Sequence, residues 1–326
     1  MRALSVRTER WPIDGDFVIS RGSKSEAEVV VAEIAENGMV GRGESVPYAR
    51  YGETVDGVLA SIESCRSALA GGANREGLQA LLPAGAARNA LDCALWDLEA
   101  KLAGRPAWAL AGLERLDPVK TAYTLSFGPP PEMAAVAKRE SRRPMLKLKI
   151  GGPDDLDRVE AVRAAAPKAR LIVDANEGLD IDQLRRLAPE FARLNVALIE
   201  QPLKVDEDAA LEGYDSPTPL CADESSHTRA ELAACARRYQ AVNIKLDKAG
   251  GLTEALLLKR EAEARGLQVM VGCMVATSLA MAPAMILAQD AGYVDLDGPL
   301  LLARDRHPGL TYLGSMIAPP TPDLWG

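Results

Sequence analysis

Apolar and polar positions along the first part of the chain follow two different periods. Residues 29–34 are apolar apart from Glu33. Asn37-Gly38 follows as a two-residue hairpin signal, and residues 39–43 return. Residues 1 to about 45 therefore read as a β-meander. Within it Ser20-Arg21-Gly22-Ser23-Lys24-Ser25 is polar and reads as a loop, as does the stretch 47–53. From Thr54 the period turns helical. Val58, Leu59, Ile62 and Leu69 recur near every 3.6 residues, and Gly71-Gly72 stops them. A second helix is predicted over 85–102, with Leu91, Ala94, Leu95, Leu98 and Leu102 as its stripe and Gly104 and Pro106 ending it. Trp96 on that helix reads as core.

After about residue 117 short apolar runs alternate with helical stretches. Strands are predicted at 121–126, 145–150, 171–174, 196–200, 219–222, 242–245, 267–272 and 293–296. Eight such runs, starting roughly 20 to 30 residues apart, have the length of βα units. They imply an α/β protein with a (β/α)8 barrel. A doubly wound sheet is the runner-up, but no GxGxxG follows a first strand and no P-loop is present. Too few residues follow the last strand for a full outer helix. The Pro-rich tail, 303–326, is expected to pack back on the N-terminal segment.

Composition narrows the function classes. The chain has 326 residues, 48% of them hydrophobic and 26% charged, which suits a globular protein. A net charge of -8 argues against a nucleic-acid partner or an anionic membrane. The five cysteines, Cys65, Cys93, Cys221, Cys235 and Cys273, are widely spaced without a CxxC, and buried free thiols are expected. Only His227 and His307 are available, and neither pairs with a cysteine at ligand spacing, which argues against a zinc site. No apolar leader region and no run of about 18 apolar residues occur, so the expected location is the cytoplasm. Homo-oligomerisation stays open.

Chemistry enters at the strand ends, where a barrel keeps its active site. In Pro144-Met145-Leu146-Lys147-Leu148-Lys149-Ile150 the two lysines fall on one face of a strand. Repulsion between them, with partial burial, is expected to lower a lysine toward the range of a base. A solvated edge strand is the plainer reading. The next strands decide between the two: they end in Asp174, Glu200 and Asp223, and the sixth in Lys245. Any one acid could be a helix cap. Three on adjacent strands would converge and repel, and a hard divalent cation, Mg²⁺, resolves that repulsion. Strands two and six are opposite in a ring of eight. Lys149 and Lys245 would then face a substrate from both sides, one taking a proton and one returning it. Thr124 ends the first strand, where threonine is often only a good β-former.

These residues carry a resemblance. Lys147-x-Lys149, Asp174-Ala175-Asn176, Glu200-Gln201-Pro202, Asp223-Glu224-Ser225 and Asn243-Ile244-Lys245-x-x-Lys248-x-Gly250-Gly251 resemble the enolase superfamily, in its muconate-lactonizing subgroup. Sites of that superfamily are established to use a Lys or His base with Mg²⁺ stabilising an ene-diolate. Within the subgroup the chain resembles the dipeptide epimerases, above all those that act on L-Ala-D/L-Glu in peptidoglycan recycling. Asp295-x-Asp297 is similar to the motif that holds the dipeptide ammonium, and Gly272-Cys273-Met274 to the strand-seven segment. Arg21, in Arg21-Gly22-Ser23-x-Ser25-Glu26-Ala27, is similar to the basic residue that meets the side-chain carboxylate, with Lys24 open as an alternative. The resemblance implies a modified (β/α)7β barrel over 116–302 and an α+β capping domain over 1–115, completed by 303–326. It implies Asp174, Glu200 and Asp223 as Mg²⁺ ligands, Lys149 and Lys245 as bases, and Lys147 as a fixed charge. Arg21, Lys24, Thr124, Cys273, Met274, Asp295 and Asp297 would bind the dipeptide. Competing readings are o-succinylbenzoate synthase, N-acylamino-acid racemase or cycloisomerase chemistry, a non-catalytic peptide-binding protein, and a barrel hydrolase using Asp223 and Glu224. The last is disfavoured because neighbours on one strand face opposite ways.

Overall fold

A computed structural model describes all residues, 1–326. Three antiparallel strands come first: β1 (Ala3–Ile19), β2 (Gly22–Glu36) and β3 (Met39–Ser45), in the order β1-β2-β3. The Asn37-Gly38 turn joins β2 to β3, and both residues have the positive φ that such a turn needs. Ser20–Ser25 is not the loop expected. Ile19 pairs with Gly22 and Phe17 with Lys24, so the strands run to a two-residue tip carrying Ser20 and Arg21. The polar composition reflects where the tip points, which is out of the sheet and over the barrel.

The helical stretch 54–70 is broken at Cys65 into α1 (Val55–Ser64) and α2 (Arg66–Ala70), and α3 (Arg75–Leu81) follows. The side chain of Thr54 caps α1 by accepting from the Gly57 N–H. The long helix α4 (Ala86–Ala103) lies between the β1–β3 sheet and the barrel. It is buried over more than a stripe, while Leu102 is exposed. Gly41 and Gly43 make the sheet side of this packing close. A Cβ on either would stand 2.1 Å from a carbonyl oxygen of α4.

The short strand β4 (Val119–Lys120) leads to eight parallel strands: β5 (Tyr123–Leu125), β6 (Met145–Lys149), β7 (Arg170–Asp174), β8 (Val196–Glu200), β9 (Leu220–Ala222), β10 (Ala241–Ile244), β11 (Gln268–Gly272) and β12 (Tyr293–Asp295). They pair in sequence order, and a backbone hydrogen bond of 2.8 Å from Ala122 to Val294 draws the two edges together. The fold is a modified (β/α)7β barrel with a separate N-terminal sheet-and-helix layer. Outer α-helices are absent after β12 and also between β8 and β9, where only a 3-10 turn, Asp208–Leu211, intervenes.

Strand alternation sorts the barrel residues. Leu146, Leu148, Val173, Ile199, Val242, Ile244 and Val271 face out into the main core under the helices. Met145, Ile172, Leu198, Cys221, Ala241, Met270 and Tyr293 form a separate apolar plug inside. Two residues further along, the same inward face bears Lys147, Asp174, Glu200, Asp223, Asn243 and Asp295. The apolar plug thus floors a layer of charge.

The tail, after β13 (Tyr312–Leu313) and β14 (Met316–Ile317), returns to the N-terminal layer. β14 pairs with β4, Trp325 Nε1 donates to the Cys93 carbonyl at 3.0 Å, and the Gly326 N–H donates to Asp97 at 2.7 Å. Two buried carboxylates join α4 to the barrel. Asp92 accepts from the Thr253 N–H at 2.9 Å, and Asp247 accepts from the Val46 N–H at 2.9 Å and from Asn89 at 3.0 Å. Burial raises Asp92 to about 6 and Asp247 to about 7 from an ordinary 3.8. Between those limits the folded chain holds protons that the unfolded chain has released, so stability falls as pH rises through this window. Asp247→Asn is expected to flatten the decline in Tm between about pH 4 and 7. A melting series in half-unit pH steps measures it, and an unchanged slope counts against the assignment.

Candidate active site

The C-terminal ends of the barrel strands and the cap enclose a cavity of about 700 Å³. Arg21, Lys24 and Arg50 line it from the cap. Thr124, Lys147, Lys149, Asp223, Lys245, Cys273, Met274, Asp295 and Asp297 line it from the barrel. Asp174 and Glu200 lie below its surface, fully buried. Strand register explains the convergence. Lys149 is level with Asp174, Asp174 with Glu200, and Glu200 with Cys221, two residues before Asp223.

The acids and lysines interdigitate. Lys147 Nζ lies 2.8 Å from Glu200 and Asp295 and 3.1 Å from Asp174, and Lys149 Nζ lies 2.7 Å from Asp174. Across the ring Lys245 Nζ and Lys248 Nζ each lie 2.6 Å from Asp223, on different oxygens. The acids close on these ammonium groups rather than on one common point, and no three of them form a ready cage.

This corrects the expected lysine titration. Burial does lower Lys147 and Lys245. For Lys147 the carboxylates of Asp295, Glu200 and Asp174 outweigh it, and for Lys245 those of Asp223 and Glu200 do, so both are held well above the ordinary value. The charges that matter come from other strands, not from the lysine two residues away. The same attractions overcome burial at Asp174, held low by Lys149 and Lys147, and at Asp223, held low by Lys245 and Lys248. Glu200 goes the other way, raised by burial and by Asp174.

The donor set suits a hard divalent cation. Three buried carboxylates stand on consecutive strands. Glu200 Oε2 receives no directed hydrogen bond although Lys147 is near, and Asn176 Oδ1 and Asp295 Oδ1 are likewise unpartnered. All-oxygen ligation of this kind fits Mg²⁺. Glu200 is held in place by Asn243, whose Nδ2 donates to Oε1 at 2.7 Å. Gly272 makes room for that amide, since a Cβ there would stand 2.6 Å from Asn243 Oδ1.

At β12, Asp295 is paired with Lys147, and Asp297 accepts from the Thr124 N–H at 2.6 Å. Burial and the Asp295 charge raise Asp297 to about 7. Arg21 reaches across from the cap tip. Its Nη1 donates to the Asn176 carbonyl at 2.6 Å and to Glu177 at 3.0 Å, and its Nη2 donates to Glu224 at 2.8 Å. Lys24 is exposed, 5.1 Å from the Tyr48 ring centroid. Asp223 and Glu224 both line the cavity. Asp223 continues the inward face just past β9, but at Glu224 the strand has ended and alternation no longer applies, so the opposite-face objection fails. Glu224 is instead committed to Arg21. Sequence reasoning gave no role to Lys248, Asn243 or Arg50. Lys248 was visible in the Lys245-x-x-Lys248 spacing.

Sequence families match nearly the whole chain. The mandelate racemase/muconate lactonizing enzyme N-terminal domain matches residues 1–112, and the enolase C-terminal domain-like family residues 132–320. The L-Ala-D/L-Glu epimerase of Escherichia coli is 48% identical over 314 residues, covering 96% of this chain and 98% of that protein. The N-acetyl-D-glutamate racemase of a Pseudoalteromonas species is 44% identical over 91% of this chain and 95% of its own length. Among solved structures, an enolase family member from Agrobacterium tumefaciens with homology to dipeptide epimerases, bound to sodium and L-Ala-L-Glu, superposes with a TM-score of 0.99 at 51% identity, covering 100% of both chains. Other dipeptide epimerases of this fold are seen with Mg and a dipeptide.

Proposed function

The chain belongs to the mandelate racemase/muconate lactonizing family of the enolase superfamily, and on that premise we propose that it is a Mg²⁺-dependent dipeptide epimerase acting on L-Ala-D/L-Glu. The observation that carries this reading is the placement of Lys149 and Lys245 on opposite sides of one cavity, with acids between them. Asp174, Glu200 and Asp223 would hold the cation. Mg²⁺, when bound, supplies Lewis-acid stabilisation for the second negative charge that loss of the α-proton puts on the substrate carboxylate.

The chain's own residues do the rest. Lys149 takes the α-proton from one face and Lys245 returns one to the other, with the roles exchanged in the reverse direction. Lys147, fixed among three acids, keeps a positive charge beside the carboxylate site. Asp295 and Asp297 take the ammonium of the first residue, beside Thr124, Cys273 and Met274. Arg21 meets the second side chain from the cap, and a closed cap excludes water. We assign the cap to 1–115 with 303–326 and the barrel to 116–302. We place the reaction in peptidoglycan peptide recycling in the cytoplasm. No helix is long and apolar enough to cross a membrane.

Racemisation of an N-acylglutamate is the second reading, and one observation favours it. Asp295 already has Lys147 as its partner, and Asp297 sits near neutrality, so the pocket does not demand an ammonium. Polarimetry with Mg²⁺ and either L-Ala-L-Glu or N-acetyl-L-glutamate separates the two. The rotation of the dipeptide is expected to change much faster. Turnover of N-acetyl-L-glutamate alone supports the second reading, and turnover of neither overturns both.

A further inference from the structure

Two cap segments and the barrel meet at one carboxylate. Glu177 follows β7 with φ of 66°, just after Asn176 at 44°, and its side chain is only 4% exposed. Its Oε2 accepts from Arg21 Nη1 at 3.0 Å and from Arg50 Nε at 2.9 Å. Its Oε1 accepts from Arg50 Nη2 at 2.7 Å and from the Val205 N–H at 3.2 Å. Arg21 comes from the β1–β2 tip, Arg50 from the 3-10 turn Ala49–Tyr51, and Val205 from the loop after β8. Left-handed backbone at two successive non-glycine residues is unfavourable for L side chains. The fold bears that cost and aims Glu177 at both arginines.

The two arginines differ in what they have left to give. Arg21 spends its Nη atoms on Asn176, Glu177, Glu224 and Tyr48. Arg50 spends Nε and Nη2 on Glu177 alone, so its Nη1 is free of protein acceptors. Both arginines line the cavity, and Glu177 does not. Paired guanidinium edges suit a planar carboxylate, which accepts two parallel hydrogen bonds.

We propose that Arg50 shares with Arg21 the recognition of an anionic second side chain, and that Glu177 positions both guanidinium groups for it. This rests on the dipeptide reading above and adds the residue that turns a cap contact into a preference for acid over amide. Arg50 touches substrate; Glu177 acts only through the arginines. The Arg21–Glu177–Arg50 cluster also fastens both cap segments to the barrel, so cap closure and side-chain recognition become one event.

Calorimetric binding of L-Ala-L-Glu and L-Ala-L-Gln to the Mg²⁺-loaded protein tests this without turnover. Arg50→Met and Glu177→Gln are each expected to weaken L-Ala-L-Glu by about tenfold or more and L-Ala-L-Gln by less than about threefold. Arg50→Lys is expected to recover part of the acid preference, because it keeps the charge without the fork. Equal weakening of both dipeptides, or of neither, overturns the proposal. Hydrogen exchange at residues 19–25 and 48–52 is measured alongside, and Glu177→Gln is expected to speed it at both segments. If the unsubstituted protein binds neither dipeptide, the dipeptide reading falls, and exchange decides the role of Glu177. Faster exchange at both segments then upholds Glu177 as the positioning residue, and unchanged exchange refutes it.

Discussion

Lys149→Ala and Lys245→Ala are each expected to cut epimerisation by about 10²–10⁴-fold, and each is expected to spare α-proton exchange from a different diastereomer. Both proteins are expected to fold. Without Lys149, Asp174 still has Lys147 at 3.1 Å, and without Lys245, Asp223 still has Lys248 at 2.6 Å. The loss therefore reports on proton transfer rather than on an orphaned buried carboxylate. In the proposed mechanism each lysine serves one face of the α-carbon, so removing it should end exchange from the isomer that presents its proton there. Proton NMR of L-Ala-L-Glu and L-Ala-D-Glu in D₂O reads both variants. If both lose exchange from the same isomer, the opposed-base arrangement is wrong.

Asp223→Asn is expected to do more than remove a metal ligand. Asp223 holds two buried ammonium groups, and Lys248 is without exposure. Removing one partner of a buried pair costs about 3–5 kcal/mol. The metal-free variant should lose stability of that order in urea unfolding and give no heat on titration with Mg²⁺. Glu200→Gln is the informative contrast. Lys147, its partner at 2.8 Å, keeps Asp174 and Asp295 when Glu200 is neutral, so Mg²⁺ affinity should fall with a smaller loss of stability. Equal and small effects of both substitutions would contradict both the buried pairing of Asp223 and the assignment of these acids as cation ligands.

The barrel was legible because its strands are buried on both faces. Such strands write themselves as short apolar runs, and a charge ending each run marks the rim of the barrel. Lys149, Asp174, Glu200 and Lys245 were read that way, and register sets the first three level. What could not be read depends on partners far off in the chain. Glu177 and Arg50 are 127 residues apart, and nothing local to either announces the pair. The stretch 22–25 was misread because polar residues at a paired hairpin end look like those of a loop. The lysine titration went astray for a similar reason. Residues on one strand show only their own neighbours, and the deciding carboxylates sit on other strands. The outer layer between β8 and β9 holds a 3-10 turn in place of a helix, which periodicity over so short a stretch does not reveal.

The most direct test follows the α-proton of the Glu residue through the earliest turnovers of L-Ala-L-Glu with Mg²⁺ in D₂O. Two opposed lysines predict that L-Ala-D-Glu carries deuterium at the Glu α-carbon from the start, because the base that returns the proton is not the one that took it. An L-Ala-D-Glu product that keeps the substrate's own proton, or a dipeptide that neither exchanges nor epimerises, would contradict the account.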